Sequence, residues 1–186
     1  MKESQPSSTI LILLLLVNPV SLSGSIAVTE AIVFSENGYL ILNSKAKLKL
    51  TDAVIEALDS NISITFDFEV VLRKKSIGGW KRRLFSETFR FDLYKYTLGE
   101  RYVITQKKNN IQVSFLTLDK ALEYLGNRQQ IRLLADRKPS SQDVTDIAVR
   151  WKLVKSELPI PMALTALLSP DWTLSSRWHV QRVDLQ

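Results

Sequence analysis

Asn61-Ile62-Ser63-Ile64-Thr65-Phe66-Asp67-Phe68-Glu69-Val70-Val71-Leu72-Arg73 decides the fold class. Ile62, Ile64, Phe66, Phe68, Val70 and Leu72 fall on one side of a two-residue period; Ser63, Thr65, Asp67, Glu69 and Arg73 fall on the other. Side chains alternate faces in extended chain, so this is a strand with one apolar and one polar side. The pattern recurs on both flanks. In Gly38–Leu50, Leu40, Leu42, Ala46, Leu48 and Leu50 oppose Lys45, Lys47 and Lys49. In Arg83–Tyr96, Phe85, Phe89, Phe91 and Leu93 oppose Arg90, Asp92, Tyr94 and Tyr96. Shorter runs at Tyr102–Thr105 and Ile111–Leu116 flank a polar turn through Lys107–Asn110. Asp143–Lys155 carries Ile147, Val149, Trp151 and Leu153 on one face, and Ser176–Val183 is a weaker final strand.

Two helices interrupt the strands. Thr51 can cap one through Leu58, with Val54, Ile55 and Leu58 facing inward. Thr117 can cap a second, in which Leu118, Ala121, Leu122 and Leu125 follow helical spacing and Gly126 ends the run. The prolines of Leu158–Met162 predict extended or edge geometry there. Asp136–Asp143, with Pro139, Ser140 and Ser141, reads as a loop. The expected architecture is mainly β: an antiparallel β-sandwich or curled sheet with two short helices.

The chain has 186 residues, and its opening sets its destination. Ile10–Val17 is an eight-residue apolar run behind Lys2, followed by Asn18-Pro19 and the small residues Ser21, Ser23, Gly24 and Ser25. That layout reads as a secretory leader, cleaved before Gly24 or, at a later site, beyond Ala27. The competing reading is a retained anchor in a window from Thr9 to Val28. Residues 1–25 are therefore assigned to a signal peptide or N-terminal anchor, and 26–186 to a single exported β-rich domain. The expected location is the periplasm or the outer face of the inner membrane. With no cysteine, the chain excludes disulfides and thiol chemistry, and its only histidine, His179, excludes the standard zinc sets. A formal net charge of +6 favours anionic partners, among which nucleic acid is least expected outside the cytoplasm.

Candidate chemistry is sparse. Ser176, Asp171 and His179 cluster in sequence, but no nucleophile elbow precedes Ser176, so no hydrolase triad is assigned. Asp67 and Glu69 leave the same face of one strand; cross-strand ion pairing with the lysines of Gly38–Leu50 is favoured over acid–base work. The sharper feature is a hairpin tip in which Arg73, Lys74, Lys75, Lys81, Arg82 and Arg83 surround Ile77 and Trp80 across Gly78-Gly79. Cations around an indole suit lipid headgroups or an acidic partner; the plainer reading is a charged edge that resists aggregation. Trp172 and Trp178 would share a face if the segment between them were one unbroken strand.

Beyond residue 38 the chain resembles an exported bacterial family labelled a domain of unknown function, DUF4390. The resemblance runs from Leu48–Leu58 into Ile62–Val70, then through Ser86–Tyr96 with Arg101-Tyr102, Ser114–Gly126 and Arg150–Pro161. Its most specific part is Ser169-Pro170-Asp171-Trp172 with Leu174-Ser175-Ser176-Arg177-Trp178. It implies a proteobacterial envelope protein with no catalytic residues to carry over. It also implies, by the family's frequent gene neighbour, a membrane sensor histidine kinase as partner. The basic tip departs from the mixed, aromatic-rich loop expected of the family there. The reading is thus a non-catalytic binding or accessory protein, without cofactor or metal, that meets an envelope protein or an anionic membrane surface. The alternative is a small apolar-ligand carrier or hydrolase using a cavity between sheets lined by Phe66, Phe68, Phe89, Phe91 and Trp151.

Overall fold

A computed structural model describes residues 23–37, 39–75, 81–133 and 146–183. Nine strands and three α-helices follow in the order β1 (Ser25–Glu36), β2 (Tyr39–Lys49), α1 (Asp52–Asp59), β3 (Ile64–Lys75), β4 (Lys81–Tyr96), β5 (Arg101–Gln106), β6 (Ile111–Phe115), α2 (Leu118–Gly126), β7 (Asn127–Leu133), β8 (Asp146–Leu153), α3 (Ile160–Leu168) and β9 (His179–Arg182). Every pairing is antiparallel. One sheet has the order β1-β2-β7, the other β6-β5-β4-β3-β8-β9.

The alternating face read from residues 61–73 is the centre of the core. Phe68 lies between its cross-strand partners Phe89 and Trp151, stacked on the indole at 4.8 Å and tilted to Phe89 at 6.2 Å. Ile64, Phe66, Val70 and Leu72 are fully buried in the same layer. The small sheet contributes Leu40, Leu42, Ala31 and Val33 to one continuous apolar cluster. The sheets close where β1 packs beside β8 and β9. On the opposite side α2 fills the space between β2 and the β5–β6 edge.

Both expected helices form as read. Thr51 Oγ1 accepts from the Val54 N–H at 3.3 Å and caps α1; Thr117 Oγ1 accepts from the Lys120 N–H and caps α2. Inside α1, Ala57 is buried with Val54 and Leu58, while Ile55 is only partly so.

Several expectations need correction. Among the described residues there are three short α-helices, not two: the proline-rich stretch forms α3, with Pro159 as its N-cap and Pro161 in its first turn. Proline lacks an N–H, but the first helical turn has no use for one, so the ring favours helix initiation there. The anchor window Thr9–Val28 is too long, because Ser25–Val28 already pair with Lys49–Ala46 in β1. The later cleavage site would cut into this strand. Strands β1 and β7 were not anticipated. Trp172 and Trp178 are split, Trp172 buried in a 3-10 turn and Trp178 half-exposed beneath Arg150. The leader and the Asp136–Asp143 loop lie outside the described residues.

Candidate functional site

The residues singled out from sequence divide into structural ones and exposed ones. Asp67 and Glu69 meet other cations than those expected, because β3 pairs with β4 and β8 rather than with β2. The Arg90 guanidinium donates to both oxygens of Asp67, at 2.7 and 3.2 Å. Glu69 accepts from Arg150 at 2.5 Å and lies 2.6 Å from Lys152 Nζ. Burial alone would raise the Glu69 carboxyl pKa; Lys152 and Arg150 outweigh it and hold the group below the usual glutamate range. Arg90 continues the ladder to Glu157 at 2.9 Å, and Lys107 joins Glu157 to Asp92. Ser176 is buried and its hydroxyl accepts from the Trp151 N–H at 3.0 Å, while Asp171 sits in the 3-10 turn and accepts from Ser169. These are structural engagements.

The basic tip is the β3–β4 hairpin end. Arg73 faces Arg83, Lys74 faces Arg82 and Lys75 faces Lys81. Like charges directly opposite each other repel, and Arg73 is offset by the buried Asp146, 3.9 Å away. Arg82 and Arg83 are exposed. Ile77 and Trp80 lie outside the described residues, and of Lys75 and Lys81 only the backbone is described.

A cleft that sequence reading missed opens between β7 and the β4–β6 side of the large sheet, roofed by α2. Its volume is about 730 Å³, and Phe89, Phe91, Phe115, Tyr124, Arg128 and Ile131 form its inner wall. It is open and rimmed by Gln106, Gln129 and Lys120, and it shares only part of its lining with the cavity expected between the sheets. Phe66, Phe68 and Trp151 are fully buried core residues; Phe89 and Phe91 alone of that set reach the cleft.

Arg128 is brought inside by a β-bulge. Leu42 pairs with Ile131 and Ser44 with Arg128, so Gln129 and Gln130 together oppose the single Asn43. Gln130 takes φ 56° and its N–H donates to Asn43 Oδ1 at 2.8 Å. Without the extra residue, Arg128 and Ile131 would point to opposite faces; with it both turn inward. The Arg128 side chain donates from Nη2 to the Tyr124 carbonyl, and its guanidinium lies 4.6 Å from the Tyr124 ring and 5.0 Å from that of Phe91. Arg128 is only 8 % exposed, and its Nε has no hydrogen-bond partner among the described residues. No described carboxylate lies in ion-pair range of it. Burial pulls its pKa down, against which Tyr124 gives a smaller opposite pull. A buried unpaired ion costs several kcal/mol, whereas a cation–π contact returns about 0.5–2 kcal/mol.

At the far end of the large sheet, α3 exposes one face. Ile160, Leu164, Leu167 and Leu168 are 80, 62, 65 and 90 % accessible, while Ala166 is buried beneath them. The spacing places all four along one side of the helix. The segment leading into β1 reaches the same end: Gly24 is so tight against Leu174 and Thr51 that a Cβ there would come within 2.7 Å of each side chain. Thr51 in turn donates to the Asp171 carbonyl at 2.9 Å, in the 3-10 turn against which α3 packs. Among the described residues no helix is long and apolar enough to cross a membrane, and no group of His, Asp and Glu side chains is placed to hold a metal ion.

Comparison with known proteins places this chain in a family. The family model described as "Domain of unknown function (DUF4390)" matches residues 23–182. No curated protein and no solved structure matches the chain.

Proposed function

We propose that this chain, which belongs to the DUF4390 family, is an exported, non-catalytic accessory protein that binds at the outer face of a cell membrane. The observation that carries the reading is the apolar face of α3. Four large aliphatic side chains on nine residues of helix form an exposed patch of the kind that marks an interaction surface. A short amphipathic helix lying in the headgroup region buries such a face without spanning. Its position at the same end of the molecule as Gly24 supports lipid as the occupant, because the apolar Ile10–Val17 precedes Gly24 by only a few residues. A leader retained in the bilayer would hold α3 against its surface.

The basic tip then faces the other way. Strand β3 runs its 12 residues from the α3 end to the tip, a span of roughly 40 Å. Arg82, Arg83 and their neighbours are therefore presented to an acidic envelope partner; a membrane sensor kinase is the class that the family resemblance suggests.

Fractionation of the native producer tests the reading. The protein is expected in the envelope, with an N-terminal mass starting at Met1 if anchored or near Gly24 if processed. Recovery of the full-length product from the cytosol overturns it.

A further inference from the structure

We propose that the cleft beside Arg128 is a binding site for a carboxylate carried on an apolar body. The cleft wall holds Lys120, Arg128 and Arg132 against one carboxylate, Glu123. That carboxylate is already taken by Lys120 at 2.7 Å. Arg132 lies over the Tyr39 ring at 4.1 Å, on the face of β7 opposite Ile131 and Leu133, so Arg128 is the arginine held over aromatic rings inside the cleft, with no described acid beside it. The guanidinium fork matches a planar carboxylate with two parallel hydrogen bonds, where a lysine offers only a point charge.

The rest of the lining specifies the body of the ligand. Phe89, Phe91, Phe115 and Ile131 offer apolar area, and Gln106 and Gln129 offer amide groups at the rim. A volume near 730 Å³ falls in the range of small-molecule sites. An incoming anion would give the buried Arg128 the partner that the fold withholds. The Tyr124 carbonyl and the Tyr124 and Phe91 rings offset only part of the cost of burying this cation. Ser44, opposite Arg128, is held by the Glu30 carbonyl at 3.1 Å and does not add to that offset. The site does not depend on where the chain resides, so it stands or falls separately from the membrane reading.

The same chemistry is found in a free organic acid and in the C-terminal residue of a peptide. The test titrates the purified full chain with octanoate, 3-phenylpropionate and N-acetylphenylalanine, each against its neutral amide, and with a peptide ending in phenylalanine, free or amidated. Saturable binding of acids, weakened about tenfold or more in the amides, is expected from loss of a charge-assisted hydrogen bond. Arg128→Gln should remove that preference and Arg128→Lys should restore part of it, with melting checked by circular dichroism. If Arg128→Gln fails to fold, the acid–amide comparison on the unaltered chain decides. Preference for the small acids identifies a free acid as the ligand, and preference for the free peptide a chain terminus. Equal binding of acids and amides, no binding of any acid, or an acid preference that survives Arg128→Gln overturns the proposal.

Discussion

Glu69 and Gly126 show how single residues here are decided by their neighbours. The Glu69 carboxyl is held below the ordinary glutamate range because Lys152 and Arg150 outweigh its burial. A depressed folded-state pKa contributes stability above the unfolded value and loses it as pH falls through the folded one. Glu69→Gln is therefore expected to melt below the parent at pH 7, with the gap closing as pH drops below about 4; thermal melts of both proteins across that range check it, and a pH-independent gap would assign the loss to packing. Replacing glycine by alanine in a helix ordinarily stabilises by about 0.5–1 kcal/mol. At Gly126 the sign reverses, because the added Cβ would collide with the Ala46 carbonyl oxygen. Forcing α2 off β2 should cost about 1–3 kcal/mol, read as a lower urea midpoint for Gly126→Ala; an unchanged or higher midpoint would mean α2 can slide. The pairing of Asp67 and Glu69 with cations was legible from charge alternation, though not with which cations, since strand order is not written in a strand's own period. Arg128 was not legible at all. Between Asn127 and Gln130 every residue is polar, and only the bulge, a property of two paired strands, turns Arg128 inward.

At the scale of elements, long uninterrupted alternation announced itself. Strands β2, β3, β4 and β8 and both capped helices were readable from period and cap chemistry. What was missed shares a cause: a local feature that breaks the period. Strand β1 shifts register between Val28 and Glu30, so its inward residues Ile26, Ala31 and Val33 do not keep one parity. Strand β7 has its bulge, and α3 begins on prolines that elsewhere signal extended chain. Caps, by contrast, are local and survive translation into structure. Thr51 is a cap with a second duty, closing α1 onto the Pro170–Trp172 turn through the Asp171 carbonyl. Thr51→Ala should lower stability by about 1–2 kcal/mol in urea unfolding, with Thr51→Ser recovering most of it. Equal losses for alanine and serine would place the effect in the methyl group, not the hydroxyl.

Across the whole molecule the two candidate docking features sit at opposite ends, and that polarity can be measured. A bilayer bound through the tip would be held by charge, and its attraction would fade as the Debye length shrinks from about 30 Å at 0.01 M to about 8 Å at physiological salt. A bilayer bound through α3 would be held by apolar burial and would be indifferent to salt over that range. Reconstituting the full chain into vesicles that carry a photoactivatable phospholipid, then mapping the labelled peptides by mass spectrometry, distinguishes the two even if the leader is itself an anchor. Label is expected on Ile160–Leu168 at both salt concentrations, and to be lost when Leu164 and Leu167 are both changed to glutamate. Because these side chains are 62 and 65 % accessible, that double variant should melt close to the parent, which separates lost docking from lost folding. Changing Lys81, Arg82 and Arg83 to glutamine should leave the label in place. Label on the tip peptides instead, fading with salt and abolished by the glutamine variant, would turn the molecule over on its membrane and make the basic hairpin its lipid-facing end.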